Sequence, residues 1–338
     1  MATMRASFLV RQGEVKEENV EVPTLDADQV LVQVAAVGVC GSDVHYYQHG
    51  KIGPFEVTEP LILGHELSGT ITAVGADVDP SRVGERVAVE PQRACGECEM
   101  CLIGRYNLCP KMEFFATPPI DGAFAEYVKI QSKFAYKLPD NVSFNAAALI
   151  EPLSVAIWAL KRAEVKPGSR VLVAGAGPIG VIVAQAASAM GAKEIIVTDI
   201  SDERLEFVSK LGATHTMNVK TESVEGLGVD IFIDASGSAP AVYSGIKAVG
   251  PAGYAILVGM GNDDVMLPIS HIQNNEIWVS GVFRYIDTWP AGIEMVASGK
   301  VNLDILVTST FGLSEVEAAL NAGKQPGQLK TIVDPRIA

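Results

Sequence analysis

The sequence predicts an α/β protein: a doubly wound parallel sheet inserted in a mostly-β region. Three observations carry this. From residue 170 onward, apolar β-rich runs alternate with helix-compatible runs, the reading of strands joined by helical crossovers. Before residue 90 the strand-like runs are short, close together and separated by Gly and Pro, the reading of antiparallel β structure. The length of 338 residues suffices for two domains, each with its own core.

Taken in order, the opening region has strand-like runs at Arg5–Arg11, Asn19–Val22, Gln29–Val37, Ser68–Val74 and Glu85–Val89, punctuated by Gly69, Gly75, Gly84 and Pro80. They predict a partly open barrel. Two apolar runs, Val30–Val39 and Leu61–Leu63, lead into unusual chemistry: Cys40-Gly41-Ser42-Asp43-Val44-His45 after one, Gly64-His65-Glu66 after the other. A thiolate, an imidazole and a carboxylate make a mixed donor set that suits Zn²⁺. Cys40, His65 and Glu66 would leave a fourth position open, as catalytic rather than structural zinc sites do. The plainer reading is a buried Cys, a capping His and a surface Glu in unrelated places.

Cys95, Cys98, Cys101 and Cys109 follow as C-x₂-C-x₂-C-x₇-C, in a lobe with few apolar residues to build a core. A tetrahedral zinc would hold such a lobe together from within. A disulfide pair and a [4Fe–4S] cluster stay open; Pro110 after Cys109 is a feature iron–sulfur sequences share. Zinc is preferred because no partner cluster motif occurs elsewhere in the chain.

Strands return between Asp121 and Lys137, with Phe124, Tyr127 and Val128 as core candidates. Glu151-Pro152-Leu153 opens a helix reaching about Arg162 that leads from one domain into the other. The strand Arg170–Ala174 then runs into Gly175-Ala176-Gly177-Pro178-Ile179-Gly180, a helical run Val181–Met190, and a strand Glu194–Thr198 ending at Asp199. Glycine loop, strand, helix and a following acid together form the dinucleotide-binding fingerprint. Gly175 serves the tight turn, Gly177 the approach of backbone to pyrophosphate, and Gly180 the close packing of helix and strand. Asp199 would accept from the adenosine ribose hydroxyls and repel a 2′-phosphate, which favours NAD over NADP. The alternation continues as helix Asp202–Leu211, strands His215–Val219 and Val229–Ala235, helix Pro240–Val249, and strands Tyr254–Gly259 and Ile277–Phe283. Two helical runs, Ala291–Ser298 and Ser314–Ala322, are expected to return to the first domain.

Composition excludes several classes. With 26 basic and 40 acidic residues the net charge is −14, which argues against a nucleic-acid footprint. No apolar stretch is long enough for a membrane span, and no signal peptide is visible at the start. Five cysteines, four of them clustered, read as metal ligation in a reducing compartment, so a cytoplasmic location is expected.

These motifs resemble the zinc-dependent medium-chain alcohol dehydrogenases, and within them the sorbitol (polyol) dehydrogenases. The resemblance rests on Gly38-Val39-Cys40 through Tyr46-Tyr47, Gly64-His65-Glu66, Phe114 through Gly122, Ala148 through Val155, the glycine loop and Gly281-Val282-Phe283-Arg284-Tyr285. It implies a GroES-like catalytic domain (1–150, with a zinc lobe at about 93–111), a Rossmann NAD-binding domain (151–286) and a return to the first domain (287–338). It further implies two zinc ions per subunit, one catalytic and one structural; animal sorbitol dehydrogenases have lost most of the four-cysteine cluster, which this chain keeps. Glu151 matches a second glutamate near the metal, and Ser42 with His45 the proton relay. Tyr46, Phe114, Thr117, Glu151, Arg284 and Tyr285 match substrate positions. Pro178, Ile179, Asp199, Arg204, Val258, Gly259, Met260, Val282, Phe283 and Arg284 match cofactor positions beside the three glycines. The expected activity is oxidation of a polyol such as sorbitol or xylitol to the 2-ketose by a homotetramer or homodimer. A dehydrogenase for L-threonine or 2,3-butanediol, or a non-catalytic dinucleotide- and zinc-binding protein, are the alternatives.

Overall fold

The computed structural model describes residues 2–337. The chain forms two compact units, one running up to Glu151 and resuming at Leu303, the other spanning Pro152–Asn302.

In the first unit, strand Thr3–Arg11 pairs antiparallel with Glu14–Glu21 and with Leu61–Ile62. The reading from sequence began the second of these strands only at Asn19. The structure starts it at Glu14, right after a turn at Gly13, because its acidic residues face solvent and show no apolar alternation. The larger sheet is centred on Gln29–Gly38, a β-branched strand buried along most of its length. It takes Glu66–Val74 on one side and, on the other, Tyr127–Gln131 beside its first half and Lys330–Val333 beside its end. Val307–Phe311 and Lys330–Val333 pair in parallel at the sheet's edge, with helix Val316–Ala322 between them in sequence. Neither strand was expected, since each is short and both carry Thr or Lys among apolar positions.

Residues 121–126, expected as strand, form none. Their backbone instead caps the chain beside the first metal motif: the N–H groups of Gly122, Ala123 and Phe124 donate to the carbonyls of Ile62, Leu63 and Gly64. A Cβ on Gly122 would lie 2.4 Å from the Gly64 carbonyl oxygen, so only glycine allows this approach. The ring of Phe124 is fully buried in the core below.

In the second unit six parallel strands lie in the order His215–Asn218, Glu194–Asp199, Arg170–Ala174, Val229–Asp234, Val249–Leu257, Trp278–Gly281. Numbered along the chain this is 3-2-1-4-5-6, and the order reverses between the first and fourth strands. The helix expected to end at Val249 ends at Lys247, and Val249 opens the next strand. Helix Trp289–Ala297 lies in this unit, not in the first as expected. The reason is local: Asn302 exchanges two hydrogen bonds with the Gln185 side chain, at 2.8 and 3.2 Å, and Lys161 donates to the Asp287 carbonyl.

Candidate metal and dinucleotide sites

Cys40 is the N-cap of helix Gly41–His49, an element the sequence did not suggest because its first turn holds Gly, Ser and Asp. Asp43 explains how the two metal motifs meet. It is fully buried; one carboxylate oxygen accepts from the Cys40 N–H at 2.9 Å and the other from the Gly64 N–H at 2.9 Å. The second oxygen also stands 3.7 Å from His65 Nδ1. A single carboxylate thus cross-links segments that are remote in sequence. Burial works against its charge, but His65 and the two backbone N–H groups outweigh it and hold its pKa below the usual value.

The donor atoms of Cys40, His65 and Glu66 lie within 4.8 Å of one another. Two features test whether a metal fits. Oε2 of Glu66 is buried and makes no hydrogen bond in a side chain only 1% exposed, an acceptor that goes unsatisfied without a cation. Burial disfavours a charged His65 ring, yet Asp43 and the Cys40 sulfur overcome it and raise its pKa well above the ordinary value. The pocket is built for positive charge, and the mixed donor set suits zinc. Gly38, paired with Glu66 across the sheet, makes room for it: a Cβ there would lie 2.1 Å from Glu66 Oε2.

The other Glu66 oxygen is held by a residue that sequence reasoning missed. Lys330, 5% exposed, places its Nζ 2.6 Å from Glu66 Oε1 and 2.8 Å from the Val39 carbonyl. Burial works against the ammonium, but Glu66, Cys40 and Glu151 outweigh it and raise its pKa. Glu151 is buried near the start of helix Ile150–Arg162 and lies outside the three-donor group. Phe114 is buried, with its ring centroid 5.3 Å from that of His65. Tyr46 is buried on the Cys40 helix, Ser42 is half-buried there, and His45 is exposed. Thr117 is half-buried and accepts from the Ile120 N–H.

The four lobe cysteines are free of disulfides. Their sulfurs stand 3.5 Å apart for Cys98–Cys101 and Cys95–Cys109, and 3.9 Å apart for Cys95–Cys101 and Cys98–Cys109. A tetrahedron with zinc–sulfur bonds of about 2.3 Å has edges of about 3.8 Å. A four-iron cube binds its cysteines at separate corners and would spread the sulfurs much further. The backbone N–H groups of Glu97 and Cys98 pull the Cys95 thiol down to about 6, while burial and Cys98 push Cys101 up to about 12. The lobe has the geometry of a structural zinc site.

In the second unit, Gly175 takes φ +99°, and a Cβ on Gly180 would lie 1.8 Å from the Gly175 carbonyl oxygen. Nothing lies within 4 Å of where a Gly177 Cβ would be, which leaves the helix N-terminus at Pro178 open to a phosphate. Asp199 ends its strand with its carboxylate already engaged. It accepts from the N–H groups of Ala176 at 2.7 Å, Ile200 at 2.7 Å and Ser201 at 2.9 Å. Arg204 and Met260 are exposed, and Ile179, Val258, Gly259 and Val282 half-buried. Arg284 takes φ +56° and stacks over the exposed Phe283 ring at 4.6 Å. Tyr285 is fully buried, edge-on to Trp289 at 6.1 Å. A cavity of about 360 Å³ in the first unit, lined by Met4, Arg93, Glu113 and Asp121 among others, contains none of these residues.

A parallel sheet with a reversed strand order and a glycine loop, together with a β unit carrying two metal-donor clusters, define a dinucleotide-dependent metalloenzyme. The chain belongs to the zinc-binding alcohol dehydrogenase family: residues 26–140 match the alcohol dehydrogenase GroES-like domain and residues 178–298 the zinc-binding dehydrogenase model. It is 44% identical to a sorbitol dehydrogenase of Bacillus subtilis, covering 95% of this chain and 94% of that one. Identity to a probable D-xylulose reductase A of Aspergillus fumigatus is 43%, with 98% and 97% covered. A zinc-binding dehydrogenase from Sinorhizobium meliloti bound to NADP superposes with a TM-score of 0.92 at 28% identity, with 99% and 100% covered. A short chain alcohol dehydrogenase from E. coli complexed with NADH gives 0.92 at 29%, with the same coverage.

Proposed function

We propose that the chain oxidises a secondary alcohol of a polyol such as sorbitol or xylitol to the 2-ketose, with NAD as hydride acceptor. The observation that carries this is the buried triad of Cys40, His65 and Glu66, three donors with one carboxylate oxygen unspent. Zinc held there supplies Lewis acidity that favours loss of the hydroxyl proton. Two zinc ions per subunit are assigned, the second to Cys95, Cys98, Cys101 and Cys109. NAD bound by the glycine loop supplies the hydride acceptor.

The chain's own residues do the rest. Asp43 orients His65. Ser42, half-buried, and His45, exposed on the same helix, offer the released proton a route from buried to solvated surroundings. Glu151 adds a buried carboxylate. In the first unit Tyr46 and Thr117 offer hydroxyls that suit a substrate with several hydroxyl groups, and Phe114 an apolar wall; Arg284 and Tyr285 are proposed as substrate residues on the family resemblance. Asp199 supports NAD over NADP because its charge disfavours a 2′-phosphate.

Self-association as a homotetramer or homodimer is supported by the second unit's edge strand, Trp278–Gly281. Among the described residues no strand pairs with its outer side, and Trp278 is 70% exposed. Among the described residues no helix is long and apolar enough to cross a membrane. The free thiols suit a reducing compartment, and the cytoplasm is proposed.

The test is a panel of sorbitol, xylitol, galactitol, L-threonine and 2,3-butanediol assayed with NAD⁺ and NADP⁺ by absorbance of the reduced cofactor. Turnover of the polyols with NAD⁺ is expected. Preference for threonine or butanediol would overturn the substrate assignment while leaving the metal sites standing.

A further inference from the structure

Lysine is among the residues least often found fully buried, and then only when paired. Lys330 opens the last strand of the first unit, and its Nζ donates to two acceptors at the metal pocket. One is the Val39 carbonyl, next to Cys40; the other is Glu66 Oε1. The two oxygens of Glu66 are therefore treated differently: Oε1 accepts from an ammonium at 2.6 Å, while Oε2 is buried and has no hydrogen-bond partner. A buried ion pair adds little net stability over an apolar pair of the same shape. Its presence beside a donor set calls for another explanation.

We propose that Lys330 is a positioning residue that occupies Glu66 Oε1 and so presents the carboxylate to the metal through Oε2 alone. A carboxylate bound through both oxygens would fill the coordination position that a substrate oxygen needs. By claiming one oxygen, Lys330 keeps the site three-coordinate toward the protein and open on its fourth side. Gly38 complements this from the facing strand, leaving clearance for Oε2 where any side chain would displace it. The assignment rests on the reading that Cys40, His65 and Glu66 hold the catalytic metal.

The test is cobalt substitution of the whole protein, with Lys330→Met and Lys330→Arg compared with wild type. Four-coordinate Co²⁺ absorbs intensely in the visible, and the bands weaken when a fifth ligand is added. Each spectrum is taken as a difference against the same protein carrying Cys40→Ser, which removes the contribution of the four-cysteine lobe. Lys330→Met should lose most of the visible intensity of the triad while retaining bound cobalt there. Lys330→Arg, which keeps a cation that can hold Oε1, should retain that intensity. An unchanged spectrum in Lys330→Met overturns the proposal. Equal loss in both variants does so too, since packing rather than the cation would then be responsible. Lys330→Gln replaces Lys330→Met if the latter does not fold. If wild type and Cys40→Ser show no cobalt difference, the triad reading itself fails, a result distinct from failure of the Lys330 assignment.

Discussion

Replacing Asp199 separates two roles that its geometry combines. Its carboxylate has about four acceptor sites, and three are taken by the N–H groups of Ala176, Ile200 and Ser201. What remains for a ribose hydroxyl is the free side of the group, so the residue carries the glycine loop and, on the proposed reading, would also meet the cofactor. In Asp199→Ala the Ala176 N–H, on a residue 0% exposed, loses its acceptor. Leaving one buried donor unpaired costs about 1–3 kcal/mol. At about 2–4 °C per kcal/mol for a domain of this size, the cofactor-free protein should melt about 2–12 °C lower. The charged hydrogen bond to ribose is worth about 1.5–3 kcal/mol, a fall of about tenfold to somewhat over a hundredfold in NAD⁺ kcat/KM. Adding Ile200→Arg supplies a cation for a 2′-phosphate but returns no acceptor to Ala176. NADP⁺ efficiency in the double variant should rise above that of wild type yet stay below the wild-type value for NAD⁺. The assay is kcat/KM for both cofactors at saturating polyol, with melting curves taken without cofactor. Wild type that uses NADP⁺ as well as NAD⁺ would refute the role in discrimination. An unshifted melting temperature in Asp199→Ala would refute the role in loop support.

Other substitutions test the metal sites. Cys40→Ser or His65→Ala should abolish turnover and leave NADH binding nearly intact, checked by fluorescence titration; residual activity comparable to wild type in metal-analysed protein would contradict the triad. Gly38→Ala should expel the Glu66 carboxylate, because the added Cβ falls 2.1 Å from Oε2, and lower the zinc content from two per subunit towards one with the lobe still loaded. Cys98→Ser should also remove one zinc, but its main effect should be on stability, since the lobe has few apolar residues to replace the metal. A wild type that binds a single zinc when fully loaded would remove the basis for both stoichiometry predictions.

Much of this site is legible in the chain because its chemistry is compressed into short motifs. Four cysteines within fifteen positions, or a glycine loop between a strand and a helix, carry their own context. The doubly wound sheet is equally plain, since its strands are buried on both faces and read as continuous apolar runs. Local signals failed where a backbone role replaces a side-chain pattern. Residues 121–126 contain apolar residues at strand-like density, yet the N–H groups of Gly122, Ala123 and Phe124 go to the carbonyls of 62–64. The outward-facing acidic strand Glu14–Glu21 is defined by its partner, Thr3–Arg11, and not by any alternation of its own.

Asp43 and Lys330 show why the second layer of the metal site is harder to read than the first. A donor such as Cys40 advertises itself by residue type, whereas a supporting charge has meaning only through what it touches. Lys330 lies 264 positions from Glu66, and in sequence it is one lysine in a short C-terminal strand. The charges in the pocket nevertheless require a residue of its kind. A Cys40 thiolate and the Glu66 carboxylate would bring two negative charges, which one divalent ion would neutralise; the Asp43 carboxylate is met by His65 and two backbone N–H groups, and Glu151 adds a further one whose field acts on Lys330. An uncompensated buried carboxylate is costly, so a buried cation within reach is what the donor set itself demands. The inference therefore runs from donors to compensating charge: once three acids or thiolates are placed around a site for one divalent ion, a buried Lys or Arg facing them is to be sought anywhere in the chain, however distant.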